Sequence, residues 1–281
     1  MIFRTLVTVA DLEANLFNAK CVVVDCRHDL MDFSAGFKAY QAGHIPNATF
    51  AHIEEDLSGE KTDWTGRHPL PRREDLEAIF GEWGINNDSQ IVAYDAQGGQ
   101  FAGRLWWLAR WLGHADVAVL DGGWQAWMAK TNWSSVEDAD RVLGTFVARA
   151  PLVDVVDAAA VLARPADALL VDARAAERYE GRVEPIDLVA GHVPGALNRF
   201  WQSNLAEPNG SFKTRAQLRA EFDALLAGRR PDQVLQMCGS GVTAAHNILA
   251  MEHAGLPGSM LYAGSWSEWI RDPRRPVAKA A

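Results

Sequence analysis

The chain has 281 residues, a length that at about 100–200 residues per domain points to two domains. Hydrophobic residues make up 48% and charged residues 22%, a globular composition that excludes large-scale disorder and collagen-like or disulfide-dense classes. Lysine and arginine number 27 against 36 aspartates and glutamates, a formal net charge of −9, so the electrostatic footprint of a nucleic-acid binder is absent.

In chain order, Cys21–Val24 is a short apolar run and reads as a buried strand, followed by an amphipathic helix over Arg72–Trp83. Ile91–Tyr94 is a second strand, Gly103–Leu112 a helix with an apolar face and Val117–Leu120 a third strand. The pattern then returns: Leu169–Val171 as strand, Thr214–Leu226 as helix, Val234–Met237 as strand, Val242–His253 as helix and Met260–Tyr262 as strand. Strands alternating with helices predict an α/β fold, each half a central, mainly parallel sheet flanked by helices. Between the halves, from about Asn132 to Pro151, the chain turns polar and charged. The expected boundaries are residues 1–135 for the first domain, 136–150 for a linker and 151–281 for the second domain. The tail from Asp272, rich in proline and basic residues, is expected to wrap or fray. No apolar run is long enough to span a bilayer, and Met1–Asp11 lacks the basic-then-apolar order of a signal peptide, so the expectation is a cytoplasmic protein with no membrane association.

The halves also share wording. Val24-Asp25-Cys26-Arg27 answers Val171-Asp172-Ala173-Arg174, and Ala42-Gly43-His44-Ile45-Pro46 answers Ala190-Gly191-His192-Val193-Pro194. Near each end, Gly123-Trp124-Gln125-Ala126-Trp127 answers Ser265-Trp266-Ser267-Glu268-Trp269. The near-constant spacing makes the chain two copies of one fold. Within each copy, Asp25/Arg27 and Asp172/Arg174 read as internal ion pairs or turn anchors, and His44 and His192 as braces of the turn that follows.

Three cysteines, Cys21, Cys26 and Cys238, are an odd number in a long chain, which argues against a disulfide framework. Cys21 and Cys26 fall in or beside a strand and read as buried thiols; their Cys-x4-Cys spacing completes no metal site, and no cofactor is expected. Cys238 differs. It ends a strand, turns through Gly239-Ser240-Gly241 and opens a helix at Val242-Thr243. Such a loop can point several N–H groups and the positive end of a helix at the sulfur, stabilising a nucleophilic thiolate. The plain alternative is an inert buried cysteine. Aligning the copies puts Asp95 opposite Cys238, so one copy carries a nucleophile and the other, with a carboxylate there, is catalytically silent.

The doubled unit, the two Gly-His-(Ile/Val)-Pro phrases, Cys238-Gly-Ser-Gly-Val-Thr-Ala244 and Tyr262-Ala-Gly-Ser-Trp-Ser-Glu-Trp269 resemble the two-domain rhodanese-type sulfurtransferases over nearly the whole chain. The cysteine loop is similar to that of the 3-mercaptopyruvate sulfurtransferases; the thiosulfate-using branch typically carries Cys-Arg-Lys-Gly-Val-Thr. The difference has a physical basis. Thiosulfate is a compact dianion that benefits from cationic loop side chains, whereas mercaptopyruvate has one carboxylate that can be bound elsewhere.

The resemblance implies an enzyme in which the Cys238 thiolate takes sulfur from 3-mercaptopyruvate as a persulfide, releases pyruvate and passes the sulfur to cyanide or a thiol, such as a thioredoxin-like protein or a low-molecular-weight thiol. Ser240 would polarise the substrate or relay protons, while Gly239, Gly241, Val242 and Thr243 supply loop amides. Arg178 matches the family arginine that grips the substrate carboxylate. A second family arginine usually follows a Glu-Pro pair, but here Glu184-Pro185 is followed by Ile186, leaving Arg182 or Arg199 as candidates for the missing charge. His68 resembles a histidine that some members place beside the catalytic serine from across the domain interface, with Asp56 as a candidate acidic partner. Phosphatases sharing this fold use a Cys-x5-Arg loop; the sixth residue after Cys238 is Ala244, which disfavours that chemistry. Thiosulfate:cyanide sulfur transfer and a non-turnover persulfide carrier or regulatory binding protein stand as alternatives.

Overall fold

The computed structural model describes residues 2–206 and 210–279; the expected domain ends at Met1 and Ala281 lie outside the described residues. Contacts divide the chain into two units, Met1–Gly59 with Pro71–Leu152 and Ala206–Phe212, and Glu60–Leu70 with Val153–Leu205 and Lys213–Ala281. The short stretch Glu60–Leu70 thus packs with the second unit although it is flanked on both sides by the first. Residues 136–150 run along the first unit: the Gly144 N–H donates to the Gly81 carbonyl at 2.8 Å, and Phe146 is buried against Phe80.

In the first unit β1 (Leu6–Val7), α1 (Val9–Asn15), β2 (Cys21–Asp25), α2 (Ala35–Ala42), β3 (Ala48–Phe50), α3 (Arg73–Glu82), β4 (Gln90–Tyr94), α4 (Ala102–Trp111), β5 (Val117–Leu120) and α5 (Gly123–Thr131) alternate. The five strands form one parallel sheet in the order β1-β5-β4-β2-β3. β2 is buried along its full length, as a central parallel strand covered on both faces must be.

The second unit repeats the plan with β6 (Val155–Val156), α6 (Ala158–Leu162), β7 (Leu169–Asp172), α7 (Ala176–Tyr179) and β8 (Leu197–Asn198). In chain order β9 (Leu205–Ala206) and β10 (Ser211–Phe212) follow, Ala206–Phe212 belonging to the first unit, and the second unit continues with α8 (Arg215–Leu226), β11 (Val234–Met237), α9 (Thr243–His253), β12 (Met260–Tyr262) and α10 (Ser265–Trp269). Its parallel sheet has the matching order β6-β12-β11-β7-β8. Local signals start its helices: Asp157 caps α6 through the Ala160 N–H at 2.8 Å, and Thr214 and Gln217 form a reciprocal capping box on α8. The tail from Asp272 wraps: the Trp269 indole N–H donates to the Pro276 carbonyl, and Ala278 bridges to His192.

Each sheet is locked at the end of its second strand by a buried ion pair. Arg27 grips Asp25 and reaches the Gly43 carbonyl at 2.7 Å; Arg174 grips Asp172 and reaches the Gly191 carbonyl at 2.7 Å. The guanidinium groups lie over Trp124 at 4.5 Å and Trp266 at 4.8 Å. His44 and His192 stand on the following turns, each stacked on a tyrosine, Tyr40 or Tyr179, at 3.9 Å and within hydrogen-bond reach of that tyrosine's carbonyl.

Among the described residues no helix is long and apolar enough to cross a membrane. The Arg174→Ala variant leaves the buried Asp172 carboxylate without its cation and is expected to cost about 3–5 kcal/mol in denaturant unfolding. Arg182→Ala, which removes only an exposed pair with Glu180, is expected to cost less than about 1 kcal/mol in the same measurement.

Candidate active site

Cys238 follows the last residue of β11, where register pairs Met237 with Asp172 of β7. β11 lies between β12 and β7, and its chain leaves toward β12 through α9, so Cys238 sits at the carboxyl end of the sheet, where α/β folds build their sites. The residue is buried, at 2% exposure, and its Sγ accepts the Gly241 N–H at 3.1 Å. Gly241 has φ +80°, and a Cβ there would lie 2.3 Å from the Ala263 carbonyl oxygen, so the turn that presents this N–H requires glycine. Val242 and Thr243 carry the chain into α9, directing the amino end of that helix toward the loop.

The backbone around the cysteine is held by α10. Ser265 adopts a left-handed φ of +54°, and its hydroxyl accepts the Cys238 N–H at 3.0 Å while donating to the Tyr262 carbonyl at 2.9 Å. The Trp266 and Ser267 N–H groups donate to the Cys238 and Gly239 carbonyls at 3.0 and 2.9 Å. The first unit has the same frame, with Gly123 in the left-handed conformation and the Trp124 N–H on the Asp95 carbonyl at 2.8 Å. There Asp95 fills the loop: its carboxylate accepts the N–H groups of Gln97, Gly99, Phe101 and Ala102 at 2.7–3.0 Å. Burial raises the Asp95 carboxyl above its ordinary range although these four donors pull it down. One copy therefore occupies its donor ring with its own side chain, whereas the other carries a sulfur.

Around Cys238 the second unit gathers polar groups from four segments. Ser240 Oγ lies 2.8 Å from His68 Nδ1, both residues being buried, with donor and acceptor set by the imidazole tautomer. Two guanidinium groups converge over Gly239: a Cβ there would lie 2.8 Å from Arg67 Nη2 and 3.6 Å from Arg178 Nη1. Arg67 is positioned by its own N–H on Ser267 Oγ at 3.0 Å, and Gly66 allows the approach, since a Cβ at that residue would meet the Gly264 carbonyl oxygen at 2.6 Å. Burial lowers the Arg67 pKa, opposed by the charge of Asp187. A guanidinium nevertheless stays cationic throughout the physiological range.

Arg67, which the sequence reading did not single out, brings a second guanidinium beside that of Arg178. Arg182 forms an exposed pair with Glu180, and Arg199 is committed to Asn204 and Glu221, both at 2.9 Å, over the Phe222 ring. Ile186 is partly exposed, but its N–H donates to Glu184 Oε1 at 3.1 Å, helping to seat that carboxylate on Arg178. Asp56 belongs to the first unit, where its carboxylate accepts the His52 N–H at 2.6 Å as a turn anchor. Arg67 adjoins His68 in the sequence, and that adjacency was the one available signal. Recognising it required knowing that Glu60–Leu70 folds into the second unit.

The other thiols are in different surroundings. Burial pushes Cys21 up to about 11 against the opposing charge of Arg141, and burial together with Asp95, Asp25 and Asp56 raises Cys26 well above the ordinary thiol range. Both stay protonated near neutrality and lack nucleophilic character. Among the described residues no three His, Cys, Asp or Glu side chains gather as a metal site would require.

The rhodanese-like domain profile matches residues 8–130 and again 156–272. The chain is 48% identical over 278 residues to a probable 3-mercaptopyruvate sulfurtransferase of Pseudomonas aeruginosa, covering 97% of each chain. It is 34% identical over 259 residues to a thiosulfate sulfurtransferase of the same organism, covering 88% of this chain and 90% of the other. The crystal structure of SseA from Escherichia coli, described among 3-mercaptopyruvate sulfotransferases, superposes with a TM-score of 0.78 at 32% identity, over 95% of this chain and all of that one. With a family domain in each half and full-length relatives of the same construction, the chain belongs to the rhodanese-like family.

Proposed function

We propose that this chain is a sulfurtransferase that takes sulfur from 3-mercaptopyruvate onto Cys238 and delivers it to a thiol or cyanide. The observation that carries the reading is the convergence of Arg67 and Arg178 over Gly239, beside a cysteine held in an amide-lined loop. Two outward guanidinium edges suit the two oxygens of a carboxylate. Relatives named for 3-mercaptopyruvate and for thiosulfate both support sulfur transfer, and the loop chemistry favours the first donor. A Cys-Arg-Lys loop provides cations of its own; Gly239 and Ser240 are neutral here, and the glycine leaves the space into which Arg67 reaches.

In the first half-reaction the Cys238 thiolate attacks the donor sulfur. The new S–S bond takes the place of the donor C–S bond, whose electron pair leaves as the enolate of pyruvate. The Ser240–His68 pair moves a proton from the donor thiol to the enolate carbon, so that pyruvate departs and Cys238 carries the persulfide. Loop N–H groups stabilise the anionic sulfur as their counterparts hold the Asp95 carboxylate. In the second half-reaction an acceptor thiolate attacks the outer sulfur and regenerates the Cys238 thiolate, giving ping-pong kinetics. A free nucleophilic thiol of this kind fits a reducing compartment, and either a low-molecular-weight thiol or a thioredoxin-like protein has the chemistry of the acceptor.

The decisive assay supplies 3-mercaptopyruvate and thiosulfate side by side, with cyanide and a dithiol as acceptors. Pyruvate release with the first donor and a gain of one sulfur atom on Cys238, read by mass spectrometry of the donor-loaded chain, are expected. Cys238→Ser should abolish both, and retained turnover in that variant would overturn the persulfide mechanism. Arg67→Ala and Arg178→Ala are each expected to lower kcat/KM for mercaptopyruvate by about 10–100-fold, the worth of a charge-assisted hydrogen bond. Ser240→Ala and His68→Asn should act on kcat, lowering it by about 10²-fold or more with little change in donor KM.

A further inference from the structure

Arg67 and Arg178 do not face Gly239 as bare cations. Asp187 stands between them, one carboxylate oxygen on Arg67 Nη1 and the other on Arg178 Nη2 at 2.9 Å. Its side chain is 4% exposed, and its own N–H donates to Glu184 Oε1 at 3.0 Å, so its position is built into the loop. Glu184 in turn takes Arg178 Nε and Nη2 at 2.8–3.2 Å. Two guanidinium charges therefore meet two carboxylates, while the neighbouring Arg174 is already matched by Asp172. What remains directed at Gly239 are Arg67 Nη2 and Arg178 Nη1, a pair of directional donors with little net positive field behind them.

We propose that Asp187 sets the charge preference of the donor site, cancelling the cationic field so that a planar monocarboxylate is bound through hydrogen-bond geometry and a compact dianion such as thiosulfate is disfavoured. The proposal rests on the sulfurtransferase reading above and adds its selectivity. A donor of one negative charge meets the repulsion of Asp187 once; a dianion meets it with twice the charge, in a partly buried setting where screening is weak. A planar carboxylate recovers the loss through two aligned N–H donors, whereas a tetrahedral dianion depends more on the field itself. Selection against the wrong donor is here a placed negative charge in addition to a fitted pocket.

The test compares the full chain with Asp187→Asn, nearly equal in shape but uncharged, and Asp187→Glu, which keeps the charge. In steady state, kcat/KM for thiosulfate is expected to rise about tenfold in Asp187→Asn and that for mercaptopyruvate to change by about threefold or less. Asp187→Glu should keep the native ratio of the two. An unchanged ratio, or an equal loss with both donors, would overturn the proposal and leave Asp187 a structural partner of the arginines. Calorimetric binding of two non-transferable probes, sulfate and pyruvate, gives a readout independent of turnover and of the variant's folding. In the native chain pyruvate should bind at least as tightly as sulfate; tighter sulfate binding would overturn the proposal. Failure of the native chain to turn over mercaptopyruvate would refute the donor reading alone, since the change in kcat/KM for thiosulfate in Asp187→Asn and the comparison of sulfate with pyruvate binding still decide the role of Asp187.

Discussion

The grip of Arg174 on Asp172 is the contact on which the second unit's site depends. Asp172 ends β7, and its fully buried carboxylate requires a cation; Arg174 provides it from two residues on, which turns the chain sharply off the sheet. The same guanidinium then touches the Gly191 carbonyl, the Glu184 carboxylate at 3.5 Å and the face of Trp266. One side chain thereby ties together the strand end, the middle and far end of the loop that carries Arg178 and Asp187, and the helix that holds the cysteine backbone. Burial makes the arrangement stiff, because a carboxylate removed from water accepts no loss of its partner.

The first unit has the same clamp in Asp25 and Arg27, and the comparison between copies isolates what the cysteine loop does. Both loops direct backbone N–H groups at one point, backed by a tryptophan N–H on the carbonyl of the central residue and a residue of positive φ before it. In the first copy the central side chain is a carboxylate, which consumes four donors itself. In the second it is a thiol, whose sulfur accepts the Gly241 N–H at 3.1 Å. The two copies differ in which side chain occupies that point, Asp95 in one and Cys238 in the other.

Charge is handled locally. In a chain with a formal net charge of −9, two guanidinium groups are brought together over Gly239, a local concentration of cationic side chains. Those arginines are held between carboxylates, which fixes their forks in direction while moderating their field. The neutral Gly239 and the cation-bearing Arg67 are complementary: the absence of a side chain at one makes room for the other.

Much of this was legible in the order of residues alone, for physical reasons. Cys21–Val24, Ile91–Tyr94 and Val234–Met237 lie in fully enclosed parallel strands, so their largely apolar runs announce them, and the Asp-x-Arg, Gly-His-x-Pro and Trp-x-x-Trp phrases expose the duplication because both copies meet the same packing demands. The nucleophile loop was readable because a tight turn of amides around a thiol needs glycine at a position such as Gly241, where φ is positive. The two-residue edge strands β1, β6 and β8 left no such trace, since a pair of residues hydrogen-bonded on one side has no periodicity to show. Arg182 and Arg199 looked as suitable as any other arginine for the second carboxylate contact. Only the tertiary structure, by folding Glu60–Leu70 into the second unit and placing Asp187 between two guanidinium groups, brought Arg67 beside Arg178, because convergence of side chains distant in the chain is a property of packing that sequence spacing does not record.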